Sequence, residues 1–154
     1  MTHFHKDAKA RVRILIVDDE ASARHGLEIL LRDDGYVVES AKDGEAALAW
    51  TIDHPPDVVV TDLKMPKLNG LGLVKLLHDR DPDLPVIVCT AFSDVSTAVA
   101  AMRAGADQYL PKPIDYPSLT VAIERALARR DLRRETKKVL CELKGAPDIA
   151  AREE

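Results

Sequence analysis

Four strand-like runs in this chain each end in a residue that can carry or bind charge. Ile14-Leu15-Ile16-Val17 runs into Asp18-Asp19, Val58-Val59-Val60-Thr61 into Asp62, Val86-Ile87-Val88-Cys89 into Thr90, and Gln108-Tyr109-Leu110-Pro111 into Lys112. A carboxylate at the tip of a buried strand is costly unless its charge is used there. Neighbouring carboxylates stay ionised cheaply only when a cation sits between them. Oxygen donors with no His or Cys nearby favour Mg2+ or another hard divalent cation. Lys112 adds a point positive charge and Thr90 a hydroxyl donor, as a phosphoryl group requires on its other sides. The set suits Asp62 as a nucleophile that takes up a phosphoryl group as an acyl phosphate, with lysine and metal neutralising the equatorial oxygens of a loose, in-line transfer.

Such residues converge only if the strands lie side by side and point the same way. Short β-branched runs alternate with longer segments of helical period, which predicts a parallel sheet wrapped by helices on both faces. Strands are expected near 12–17, 36–40, 57–61, 85–89 and 107–110. The first, third and fourth are apolar at nearly every position, as strands covered on both faces must be. Helices are expected near 20–33, 44–53, 70–79, 94–104 and 116–143. Asp43-Gly44, Asn69-Gly70 and Ser93-Asp94 supply starts, and Gly35 and Gly105 supply stops. In doubly wound sheets ligands bind beyond the carboxyl ends of the strands, at the switch point of the topology. The charged strand ends fall on that edge.

In order, Val17-Asp18-Asp19-Glu20, Thr61-Asp62-Leu63-Lys64-Met65-Pro66 with Gly70, Thr90-Ala91 and Lys112-Pro113 resemble the receiver domains of two-component response regulators. Asp19 to Asp62 is 43 residues, Asp62 to Thr90 is 28 and Thr90 to Lys112 is 22. The resemblance covers roughly residues 11 to 130. It implies a flavodoxin-like (βα)5 doubly wound five-stranded parallel sheet, with a helical extension and tail over 131–154 and a flexible terminus over 1–10. It makes Asp62 the phosphoacceptor, served by a sensor histidine kinase. It implies that Asp18, Asp19, Asp62 and the backbone carbonyl of Lys64 hold Mg2+, and that Thr90 and Lys112 contact the phosphoryl oxygens. Thr90 and Tyr109 become switch residues, and the Lys112–Pro113 bond becomes cis, as an X-Pro step in a tight turn allows. Lys64 and Phe92 match positions that tune dephosphorylation in such domains. The segments 93–99 and 105–113 resemble the receivers of NtrC-type transcriptional activators, in which a long last helix runs on as a dimerising linker. That implies homodimerisation through the face formed by the fourth helix, fifth strand and fifth helix, through the long helix, or both.

The long helix has support in the residues themselves. A helix starting at Pro117 needs only about four turns to cover a five-residue strand, yet nothing breaks the pattern before Gly145-Ala146-Pro147, which is expected to end it. Leu132, Thr136, Val139 and Leu143 step by 4, 3 and 4, a short apolar seam of the coiled-coil kind. Residues 124–144 carry 8 Lys and Arg against 4 Asp and Glu, which reads as a solvated helix face or the flank of a coil. No recognition motif accompanies these basic residues, so direct nucleic-acid contact is not expected.

A net charge of −4 and the lack of any apolar stretch of about 20 residues give no case for a membrane. With Cys89 in a buried strand and Cys141 far from it, reduced thiols and a cytoplasmic location are expected. His3 and His5 read as part of a disordered polar terminus. Trp50, Ala46, Ala47 and Ile52 read as packing of the second helix, and Ala98, Val99, Ala101 and Met102 as the buried side of the fourth, part of which could also serve for output. With no P-loop and no helix-turn-helix segment before Glu154, the chain reads as a stand-alone regulator or as the receiver portion of something larger. Three functions compete. The first is a phosphorylation switch with a transcriptional output domain or partner. The second is a phosphorelay or phosphate-sink receiver acting by protein contact. The third is an aspartate-nucleophile phosphatase, which would want a second acid two residues after the nucleophile, where Lys64 stands.

Overall fold

The computed structural model of the protein describes residues 9–65, 68–91 and 95–152. His3, His5, Pro66, Phe92 and the Ser93-Asp94 helix start lie outside the described residues. Strands β1 (Arg13–Val17), β2 (Val37–Ala41), β3 (Val58–Thr61), β4 (Val86–Thr90) and β5 (Gln108–Pro111) alternate with helices α1 (Ala21–Asp33), α2 (Gly44–Asp53), α3 (Gly70–Arg80), α4 (Val95–Ala104) and α5 (Tyr116–Arg152). The strands form one sheet in the order β2-β1-β3-β4-β5, and every pairing is parallel. This is the flavodoxin-like doubly wound order, with its switch point between β1 and β3.

Burial follows the strand positions. β3 and β4 are buried at every residue and β1 at all but Arg13, whereas the edge strand β2 alternates and exposes Glu39. Alternate side chains of the central strands feed two cores. Ile14 and Ile16 join Leu27 and Leu31 of α1 and Leu119, Ile123 and Leu127 of α5. On the opposite face, Leu15 and Val17 join Ala47 of α2, Leu73, Val74 and Leu77 of α3 and Ala101 of α4. Cys89 lies in the first core, and burial pushes its thiol up to about 12; Lys112 opposes that shift and the Asp62 and Asp18 charges add to it.

The helix ends carry the chemistry their residue types offer. The Asp43 carboxylate accepts the Ala46 N–H at 2.8 Å, and Asn69 Oδ1 accepts the Gly72 N–H at 2.9 Å. Asp115 starts α5 in the same way, its carboxylate accepting the Ser118 N–H at 3.2 Å. Gly35 (φ 109°) and Gly105 (φ 118°) follow α1 and α4 in the left-handed conformation that ends helices.

Several expectations need correction. Gly145-Ala146-Pro147 does not end the last helix, which continues to Arg152. Proline withholds the N–H that would bond the Leu143 carbonyl, but Leu143 is exposed and water can take that acceptor. The fourth helix also turns differently. Ala101 is its buried residue, whereas Val95, Val99 and Met102 are exposed. Small alanines let α4 approach its neighbours closely, and its larger apolar groups are left on the outside. Ile52 is exposed as well, while Trp50 packs partly on the second core and stacks on His54 at 3.9 Å.

Helix α5 is held in two different ways along its length. Leu119, Ile123 and Leu127 recur every four residues and are fully buried, and each contributes about 1.5–3 kcal/mol. Beyond Leu127 the apolar residues Leu132, Val139, Leu140 and Leu143 are exposed. The basic run is not simply a solvated face, because Arg130, Arg133 and Lys137 reach back to aspartates of the receiver body.

One close approach fixes the backbone under the charged edge. The Gly70 N–H donates to the Leu63 carbonyl at 2.8 Å, and a β-carbon on Gly70 would collide with the Asp62 carbonyl oxygen and the Leu63 Cα. Both obstacles are backbone and cannot rotate away. Gly70→Ala is therefore expected to lower stability by about 1–3 kcal/mol, read as a fall in the urea midpoint; an unchanged midpoint would show that this turn yields.

Candidate functional site

Register brings the acids together. Val17 of β1 pairs with Thr61 of β3, so the residues that follow, Asp18 and Asp62, leave the sheet side by side. The Asp62 N–H donates to the Val17 carbonyl at 3.0 Å, and the Asp18 N–H to the Ala41 carbonyl at 3.2 Å. Asp19 follows on the solvent side. One carboxylate oxygen from each of Asp18, Asp19 and Asp62 lies within 4.8 Å of the others. Asp18 is only 3% exposed, so its charge needs partners nearby.

Those partners lie within hydrogen-bond reach. Lys112 Nζ donates to Asp18 Oδ2 at 2.7 Å and to Asp62 Oδ2 at 2.9 Å. Asp18 Oδ1 accepts the Glu20 N–H at 2.9 Å, and Asp62 Oδ1 accepts the Lys64 N–H at 3.2 Å. Burial by itself lowers the proton affinity of the Lys112 ammonium. The hydrogen bonds and charges of Asp18 and Asp62 outweigh that, and its pKa stands above the usual lysine value. One ammonium still faces three carboxylates. The donor set is all oxygen, compact and short of positive charge, and these residues therefore fit a hard divalent cation.

The remaining candidates surround this cluster at different distances. Thr90 is fully buried at the end of β4, and its carbonyl accepts the Lys112 N–H at 2.9 Å. The Lys112–Pro113 peptide bond is cis. Tyr109 pairs with Val88 in the sheet and packs against the second core, below the acidic cluster rather than in it. The Lys64 side chain is exposed.

Two supporting groups escape a reading of motifs. Arg24 donates to the Asp18 carbonyl at 2.7 Å, which pins the turn that aims Asp18. Its position one helical turn after Glu20 is the only signal in the sequence. Thr61 Oγ1 donates to the Asp62 carbonyl at 2.9 Å, so the strand's last hydroxyl restrains the backbone of the acid that follows it. No helix among the described residues is long and apolar enough to cross a membrane.

Known proteins resemble this chain in sequence and in fold. A family model described as the response regulator receiver domain matches residues 14–124. "Response regulator MprA" of Mycobacterium sp. (strain KMS) is 47% identical over 119 residues, 77% of this chain and 51% of the relative. The chain thus spans about half the length of the curated relatives it matches. A receiver domain protein from Clostridium thermocellum superposes with a TM-score of 0.74 at 35% identity, covering 79% of this chain and 98% of that one. NtrX from Brucella abortus gives 0.77 at 34% identity, covering 82% of this chain and 29% of that one; it is a neighbour of the NtrC type that segments 93–99 and 105–113 suggested. With its matched motifs, sheet order and paired strand-end aspartates, the chain belongs to the response regulator receiver family of two-component systems.

Proposed function

We propose that the protein is a phosphorylation-controlled switch in which Asp62 accepts a phosphoryl group from a sensor histidine kinase. The observation that carries this reading is the cluster of Asp18, Asp19 and Asp62 oxygens within 4.8 Å, with the Lys112 ammonium bridging two of them. An Asp62 carboxylate oxygen attacks phosphorus; the new O–P bond forms as the bond from phosphorus to the kinase's histidine nitrogen breaks, and that nitrogen keeps the electron pair. Asp18, Asp19, Asp62 and the Lys64 carbonyl would hold Mg2+, whose chemistry is to neutralise the phosphoryl oxygens. Lys112 and Thr90 bind the remaining oxygens, Lys112 as a charge already poised at Asp62 and Thr90 through its hydroxyl. Tyr109 and Thr90 then read the charge out to α4, β5 and α5.

The receiver unit in this reading is 11–130, with 131–154 as a helical extension and tail. Output runs through a homodimer. Val95, Val99 and Met102 form an exposed apolar stripe on α4, and Leu132, Val139 and Leu143 form another on the extension. A cytoplasmic location and a transcriptional output complete the proposal.

Three measurements test the reading. With Mg2+ and a small acyl-phosphate donor, intact mass is expected to show one phosphoryl group on the wild type and none on Asp62→Asn; a group persisting on Asp62→Asn removes the assignment. Mg2+ at about ten times its Kd should stabilise the wild type by about 1.4 kcal/mol, a Tm rise of a few degrees. Asp19→Asn relieves like-charge repulsion, so in chelator it should melt at or above the wild type while losing most of the Mg2+ response; an undiminished response would take Asp19 out of the metal set. Light scattering should find a dimer that is strengthened by a beryllofluoride-type phosphoryl mimic with Mg2+ and weakened by Leu132→Lys/Leu143→Lys. A monomer under every condition would remove dimerisation from the mechanism.

A further inference from the structure

The edge of the sheet opposite the acidic site carries a second arrangement of charges. Asp57 immediately precedes β3, and Asp107 immediately precedes β5. Each spends its two carboxylate oxygens alike. Asp57 Oδ2 accepts the N–H of Arg13, the first residue of β1, at 2.8 Å, and Asp107 Oδ2 accepts the N–H of Val86, the first residue of β4, at 3.1 Å. The other oxygen of each faces an arginine of α5. Arg130 Nη1 reaches Asp57 Oδ1 at 2.9 Å, and Arg133 Nη2 reaches Asp107 Oδ1 at 3.6 Å. Asp83, in the turn before β4, completes the row and receives Lys137 Nζ at 2.8 Å. The hydrogen bond from Lys137 holds the Asp83 carboxyl below its usual range; burial opposes that, and the charges of Lys137, Arg133 and Arg134 reinforce it.

The helix residues engaged are 130, 133 and 137, a spacing that puts them on one face of an α-helix. The apolar seam of Leu132, Thr136, Val139 and Leu143 lies about 120° around the same helix. We propose that the N-terminal edge of the sheet is a docking surface for a basic helix, occupied in this chain by residues 130–137, and that Asp57, Asp83 and Asp107 thereby set the direction in which the seam faces. The pairing is graded. The Arg130 side chain is 11% exposed and also bonds Asp131, whereas Lys137 is 62% exposed and open to screening by salt. The outer end of the dock therefore opens first. The surface lies at the far end of the strands from Asp62 and acts whether or not Asp62 is phosphorylated.

The test is amide hydrogen exchange over residues 131–140 in the full chain, unphosphorylated and without Mg2+. It is run both in the wild type and in a Leu132→Lys/Leu143→Lys background, so that a failure of dimerisation or of phosphorylation is not mistaken for a failure of docking. Lys137→Asp and Asp83→Lys should each speed exchange there by about two- to fivefold. The charge swap carrying both changes should restore the wild-type rate. Raising NaCl from low salt to about 1 M, where the Debye length falls to about 3 Å, should speed the wild type in the same segment while leaving the amides of α3 unchanged. Single reversals without effect, a swap that fails to restore protection, or exchange indifferent to salt would each overturn the proposal.

Discussion

The molecule is organised around the side-by-side exit of two carboxylates from neighbouring parallel strands. β1 and β3 pair so that Asp18 and Asp62 emerge together, and Asp19 adds a third negative group within 4.8 Å. In water such a concentration of charge disperses; at the mouth of a buried sheet it cannot. Lys112 crosses over from the end of β5 to bridge Asp18 and Asp62. The short loops and the close contact at Gly70 hold these four side chains in one place. Among the described residues one ammonium bridges two of this trio of carboxylates, so the edge keeps an attraction for a further cation.

The same parallel sheet gives the two ends of the strands different chemistry. At the carboxyl ends, side chains converge with unbalanced charge. At the amino ends, Asp57 and Asp107 are each shared between a strand N–H and an arginine, Asp83 gives both oxygens to Lys137, and the charges are matched. Helix α5 connects the two ends along the sheet. It begins four residues after Lys112, is fixed midway by Leu119, Ile123 and Leu127, and leaves the body beside Asp57, Asp83 and Asp107.

Most of the acidic edge was legible in the sequence, because an apolar run that ends in a charged residue is a local pattern. Asp18, Asp62, Thr90 and Lys112 each follow such a run; none stands out singly, but their order along the chain and the parallel topology bring them to one edge. The opposite edge was not legible. Asp57 and Asp107 look like ordinary residues at strand starts, and the basic run after Leu127 looks solvated, because their pairing depends on the path of a helix that no local pattern encodes. The orientation of α4 was misread for a related reason. In Val95-Ser96-Thr97-Ala98-Val99-Ala100-Ala101-Met102 apolar residues occur all round the helix, and only the tight approach to α3 and β5 selects alanine for the inside. Arg24 escaped notice because its partner is a backbone carbonyl, which has no signature in a sequence.

The contact at Gly70 has a mechanical consequence. Backbone atoms of α3 rest directly on the Asp62–Leu63 peptide, with nothing compressible between them, and this side of the pocket behaves as an anvil. Helix α4, by contrast, is seated mainly by Ala101 and carries its bulk outward. Packing around the acidic edge is thus unequal, with backbone against backbone at α3 and a single small buried side chain, Ala101, on α4.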